Sequence, residues 1–292
     1  MAVKKSHEVT FSYLKAWSAP NSKGRKGIWY FDIERQEIRF SSDADRYSFA
    51  SENRLYVPKH KGERIEAVEK WLSEAERAFV NFATRFQHKR FSDPLTADDF
   101  RRIIFAAVSL AYRSGPEVRH IEDLLLSDSE LRARYGVTDA DSAHIAAVEN
   151  MVNIITKQAQ FYLSGKCQVI YDFNQQLLVC ERPMLDMNSR NIPFAVMPLT
   201  PSALLSLESN HELQPGLVFV DGSGMDSQLC SMANNFTIER ARKWVVAATR
   251  RQLGEVRGLL SSERVEVRST TDRVVFTPAD LLSKGQWWEL KR

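Results

Sequence analysis

Residues 141–180 read DSAHIAAVEN MVNIITKQAQ FYLSGKCQVI YDFNQQLLVC, and two hydrophobic periods meet inside this stretch. From Asp141 the residues Ile145, Val148, Val152, Ile155, Ala159 and Tyr162 recur at intervals of three and four, which lays one apolar stripe along a helix. Gly165 then ends it, because glycine accepts the left-handed backbone of a helix terminus. Beyond it, residues 169–173 and 177–180 are short runs of strand-forming side chains separated by asparagine. Helical and strand periods that occupy separate blocks predict an α+β fold.

Working upstream, Ile65, Val68, Trp71, Leu72, Ala75, Phe79, Phe82 and Phe86 repeat the helical spacing over about six turns. Thr96 with Asp99 three residues later is a capping-box pattern, and the nearly all-apolar run behind it, ending at Tyr112, predicts a central helix. The segment Arg113-Ser114-Gly115-Pro116 stops that helix. Residues 27–40 alternate apolar and polar side chains and predict a β hairpin. Downstream, residues 194–197, 204–207 and 217–220 add strands of an antiparallel sheet. A helix near 226–242, strands at 244–248 and 265–267, a short helix after Arg250 and a tail bearing Trp287-Trp288 follow. The expected organisation is a hairpin plus helical bundle in 1–165 and an antiparallel sheet packed by helices in 166–292, either as two units or as one integrated domain.

Composition narrows the class. Cys167, Cys180 and Cys230 are odd in number and lack C-x-x-C spacing, so neither a disulfide framework nor a zinc site is expected, and a reducing cytoplasm is the expected location. The basic N-terminus does not lead into an apolar core of the signal-peptide kind, and no run of eighteen apolar residues exists, so no membrane partner is expected. A net charge of +3, from 40 basic and 37 acidic residues, does not by itself imply nucleic acid. Bases gather in residues 1–30 and 239–257 while acids gather in 117–149, a distribution that solvated surfaces also show.

Several landmarks fall in a familiar order. The opening Ser6-His7-Glu8-Val9-Thr10-Phe11-Ser12-Tyr13-Leu14-Lys15-Ala16-Trp17 resembles the start, His-x-Val-Pro-x-x-Tyr-Leu-x-x-Phe, of the bacterial domain-of-unknown-function family 4238, DUF4238. Ile65-Glu66 with Leu72, Glu74 and Glu76, then Tyr112-Arg113-Ser114-Gly115-Pro116 with Arg119, resemble its next two regions. Cys180-Glu181-Arg182-Pro183, Pro198-Leu199-Thr200-Pro201, and Asn234 or Asn235 continue the order, over roughly residues 6–249. The chain departs where Thr10 stands for proline and Glu181-Arg182 for Asp-Asn. The resemblance implies a bacterial protein from a defence or mobile-element setting.

Two functional expectations follow. The first is an antiviral effector or toxin acting on nucleic acid as a metal-dependent nuclease. His7 is its titratable base, Glu181 a loop-displayed carboxylate, Arg113 a phosphate clamp and Asn234 a further catalytic-site residue implied by the resemblance. Glu66 and Glu69, three apart on a helix, are its Mg or Mn ligands. The second is a non-catalytic sensor or interaction module that engages another defence-system protein. Asp221-Gly222-Ser223-Gly224 reads as a tight turn, lacking the lysine of a phosphate-binding loop, and no G-x-S-x-G or H-E-x-x-H occurs.

Overall fold

The computed structural model describes residues 6–7, 9–45, 47–52, 55–87, 96–173, 176–186, 194–208, 216–223 and 228–262. The chain opens with β1 (Ser6–His7), α1 (Phe11–Leu14) and β2 (Ala19–Pro20), and then forms the hairpin β3 (Lys26–Asp32) and β4 (Glu37–Ser42). A Cβ on Gly27 would lie 2.2 Å from the Ser41 carbonyl oxygen, so glycine is what lets these two strands approach. Short strands β5 (Ser51–Glu52), β6 (Lys59–His60) and β7 (Glu63–Arg64) lead into the helices.

Helix α2 (Ala67–Gln87) and α3 (Ala97–Tyr112) follow the apolar stripes, and α3 carries the expected cap. Thr96 Oγ1 accepts from Asp99 N–H, while the Asp99 carboxylate accepts from Thr96 N–H. Next come α4 (Gly115–Ser127), α5 (Ser129–Tyr135) and the long α6 (Ala140–Leu163). The cap of α6 is Asp139 paired with Ser142, two residues before the Asp141 that the sequence pattern suggested. Phe79, Phe82, Ile103, Ile104, Val108, Val152 and Ile155 are all buried in one core, with Trp71 packed against it.

The remaining elements are β8 (Lys166–Tyr171), β9 (Val179–Cys180), β10 (Leu185–Asp186), β11 (Phe194–Thr200), β12 (Ala203–Glu208), β13 (Gly216–Asp221), α7 (Gln228–Arg240), β14 (Trp244–Ala247) and α8 (Arg250–Ser262). One sheet has the order β10-β11-β12-β8-β13. Its pairings are antiparallel except the last: β13 follows β12 in sequence but lies beyond β8 and runs parallel to it. In the other sheet β14 pairs with both β3 and β9, so ladder hydrogen bonds join the N-terminal hairpin to strands from the second half of the chain. The architecture is α+β, with antiparallel sheets packed by helices. The expected strand at 265–267 and the pair Trp287-Trp288 lie outside the described residues. Among the described residues no helix is long and apolar enough to cross a membrane.

Phe82 is 1% exposed and its ring lies 5.2 Å from that of Phe86. Phe82→Ala should destabilise the protein by about 3–5 kcal/mol, the usual cost of truncating a buried aromatic. Chemical unfolding measures it, and a variant as stable as wild type would contradict this packing.

Candidate functional site

Arg113 caps the C-terminus of α3, its N–H donating to the Ser109 carbonyl at 3.1 Å, and it stands two residues before α4. Its side chain is 1% exposed and forms an ion pair with Glu76 on α2. The Tyr56 hydroxyl donates to the Arg113 carbonyl, so backbone and guanidinium are both held. Burial raises the Glu76 carboxyl above its ordinary value while Arg113 pulls it back. Burial likewise opposes the charge of Arg113, and the negative field of Glu76, aided by Tyr56 and Glu69, outweighs it. Arg113 therefore fastens α2 to the corner between α3 and α4.

The first turns of α4 collect further charges. Glu117 receives Arg182 at 2.5 Å, Arg119 pairs with Glu52, and Lys243 reaches the other oxygen of Glu52 at 3.2 Å. Glu52 stands opposite Ser6 in the β1–β5 ladder, and His7 stands opposite Ser51. The start of α4 thus carries two sets of ion pairs, Glu117 with Arg182 and Arg119 with Glu52 and Lys243, the second beside the β1–β5 ladder that holds the backbone of His7. The side chain of His7 lies outside the described residues.

Glu181 and Asn234 face other partners. The Glu181 side chain is buried, and its carboxylate oxygens accept the N–H of Arg242 at 2.6 Å and of Trp244 at 3.4 Å, across the turn from α7 to β14. Burial raises its pKa, and these amides with those of Lys243 and Glu181 itself offset part of that rise. Asn234 uses both ends of its amide: Oδ1 accepts from Leu178 N–H at 2.8 Å and Nδ2 donates to Gln176 O at 3.2 Å. Trp17 Nε1 donates to Leu177 O at 2.8 Å, so residues 176–178 are held between α7 and the N-terminal segment. Tyr13, 5.3 Å from Trp17 ring to ring, donates its hydroxyl to Pro198 O. The polar atoms of Arg113, Glu181 and Asn234 accordingly turn to three different sets of neighbours.

Among the described residues no third ligand joins Glu66 and Glu69, the pair expected to hold Mg or Mn. Glu66 precedes α2 and its carboxylate lies 4.0 Å from the Lys70 ammonium, while Glu69 lies within the field of the Arg113 guanidinium. A Mg or Mn site needs several oxygens converging on one point. Among the described residues no group of three or more His, Cys, Asp or Glu side chains has that arrangement. The thiols of Cys167, Cys180 and Cys230 are buried and unpaired with one another, and burial raises all three, Cys230 to about 11, the opposite of an activated nucleophile.

Asn234 lines an open groove of about 460 Å³ between α7 and α8. Four side-chain amides line it, from Gln176, Asn234, Asn235 and Gln252, over an apolar floor that includes Leu178 and Val256. Its charges, Arg251 and Glu255, balance. Gln252 Nε2 donates to Gln176 O at 2.6 Å, which ties α8 to the same segment that Asn234 holds. Sequence reasoning found Asn234 and missed this groove. The only available signal was a set of amide residues far apart in the chain.

An α+β protein with two five-stranded sheets, a buried Arg–Glu clasp and an amide-lined groove is the class that fold and site define. The model of the family described as a protein of unknown function (DUF4238) matches residues 5–251, and the chain belongs to that family. No curated protein and no solved structure matches the chain.

Because burial holds the Glu181 carboxyl above its unfolded value, the folded protein binds that proton more tightly. Its contribution is greatest below the unfolded pKa, about 4.3, and is lost as pH rises through the folded value. Glu181→Gln should remove this part of the slope, so wild type should lose ground to the variant as pH rises. Melting temperatures of both proteins across that interval are the readout, and a difference that does not change with pH would contradict the assignment.

Proposed function

We propose that the chain is a non-catalytic interaction module whose groove between α7 and α8 holds an extended segment of a partner polypeptide. The observation that carries this reading is the lining of the groove. Amides both donate and accept, as peptide groups do, and those of Gln176 and Asn235 border an apolar floor beside the internally bonded Asn234 and Gln252, with Arg251 and Glu255 in balance. A phosphate polymer calls for an excess of cations along its path, which this lining lacks.

The rival reading, a metal-dependent nuclease acting on nucleic acid, draws less support. Glu181 is 1% exposed and spent on backbone amides, and Arg113 is spent on Glu76, so neither reaches a phosphate in solvent. A partner from a defence or mobile-element system, as the resemblance implies, and a cytoplasmic setting, in keeping with three buried thiols, belong to the same proposal.

A displayed library of extended peptides, panned against the purified protein, tests the reading. Enrichment on wild type should be lost on Asn235→Arg, an exposed position whose change should leave the melting temperature intact. The same protein, incubated with RNA and DNA in Mg or Mn, should leave both polymers whole. Metal-dependent cleavage that EDTA stops, and that disappears in a normally melting His7→Ala variant, would establish the nuclease instead.

A further inference from the structure

Strand β13 ends its sheet, and its six residues read GLVFVD. Natural edge strands are usually blunted by lysine, proline, a bulge or a covering loop, because their unpaired peptide groups template another strand. This one carries neither lysine nor proline, and Val218 and Phe219 are 42% and 39% exposed. Both faces of the strand are nonetheless anchored. Leu217 packs on the central core and the Phe219 ring lies 5.9 Å from that of Phe86, while Val220 packs in the cluster of Ile170 and Phe173. Among the described residues nothing pairs with its outer edge.

The direction of the peptide groups can be read from the end of the strand. Gly222 N–H donates to Tyr171 O at 2.7 Å, toward β8. Peptide groups alternate sides along a strand, so those of Val220 and Val218 also face β8, and those of Leu217, Phe219 and Asp221 face outward. We propose that β13 pairs antiparallel with β13 of a second copy of this chain, about a two-fold axis between the two Phe219 residues, joining two five-stranded sheets into one.

A two-fold axis perpendicular to a sheet sets a residue opposite itself or opposite one an even number of places away. Centred on Phe219, it opposes Phe219 to its own mate and Leu217 to Asp221 of the second copy. All three outward residues then fall in hydrogen-bonded pairs, each exchanging two bonds. Centred on Val218 instead, Asp221 would lie past the described end of the opposing strand. The Phe219 register also keeps like charges apart, since each Asp221 faces a leucine, and it extends the aromatic contact of Phe86 and Phe219 across the seam. The strand is thus self-complementary in hydrogen bonding, charge and shape, which commits the edge to a second copy.

Light scattering over a concentration series and cysteine cross-linking test this. The full chain should be a dimer that Phe219→Lys converts to a monomer, with an unchanged circular dichroism spectrum. Phe219→Cys should form an interchain disulfide under mild oxidation faster than Val218→Cys, whose opposite neighbour is Val220, and the three native cysteines are buried. A chain that stays monomeric, or Val218→Cys cross-linking faster than Phe219→Cys, would overturn the proposal.

Discussion

Two opposite charges buried where α2 meets the α3–α4 corner form the constraint on which the rest of the structure depends. An arginine 1% exposed has no tolerable state without a carboxylate beside it, and leaving either ion uncompensated costs several kcal/mol. The Glu76–Arg113 pair, with Tyr56 on the Arg113 carbonyl, permits one register. That register also aims α4, whose first turns offer Glu117 to Arg182 and Arg119 to Glu52.

Arg113, Glu181 and Asn234, polar residues that stand out in the sequence, act as joints. Glu181 supplies an acceptor to amides that neither α7 nor β14 can satisfy internally, and it does so from 61 positions away. Asn234 holds residues 176–178 to α7 in the same manner, and Trp17 holds them from the other side. A carboxylate committed to backbone in a dry interior is poorly placed to activate water. Beside Asn234 lies an open groove, where the amides of Asn235 and Gln176 border an apolar floor.

How much of this was legible follows from the range of the interactions. The helices α2, α3 and α6 were readable because their stripes and the Thr96–Asp99 cap act over three or four residues. The hairpin β3–β4 and most described strands of the second half were readable for the same reason, while the two-residue β10 was not. The α6 cap at Asp139 was missed because several acids compete there and only geometry decides among them. Neither the β1–β5 ladder nor the parallel placement of β13 beside β8 has a local signature. Of the nominated site residues, the sequence marked positions that matter to the fold but not the atoms they bind, since Glu76 for Arg113 and the amides of 242–244 for Glu181 are choices made by tertiary packing.

The central claim, that Arg113 and Glu181 are spent on holding the fold, is tested most directly by a double-mutant cycle on the clasp. Urea unfolding of Arg113→Met, Glu76→Leu and the double variant supplies the energies. Each single change should cost about 3–5 kcal/mol by stranding a buried charge, and the double change should cost much less than their sum. Single variants that keep wild-type stability, or costs that simply add, would contradict the account and return Arg113 to the list of residues free for catalysis.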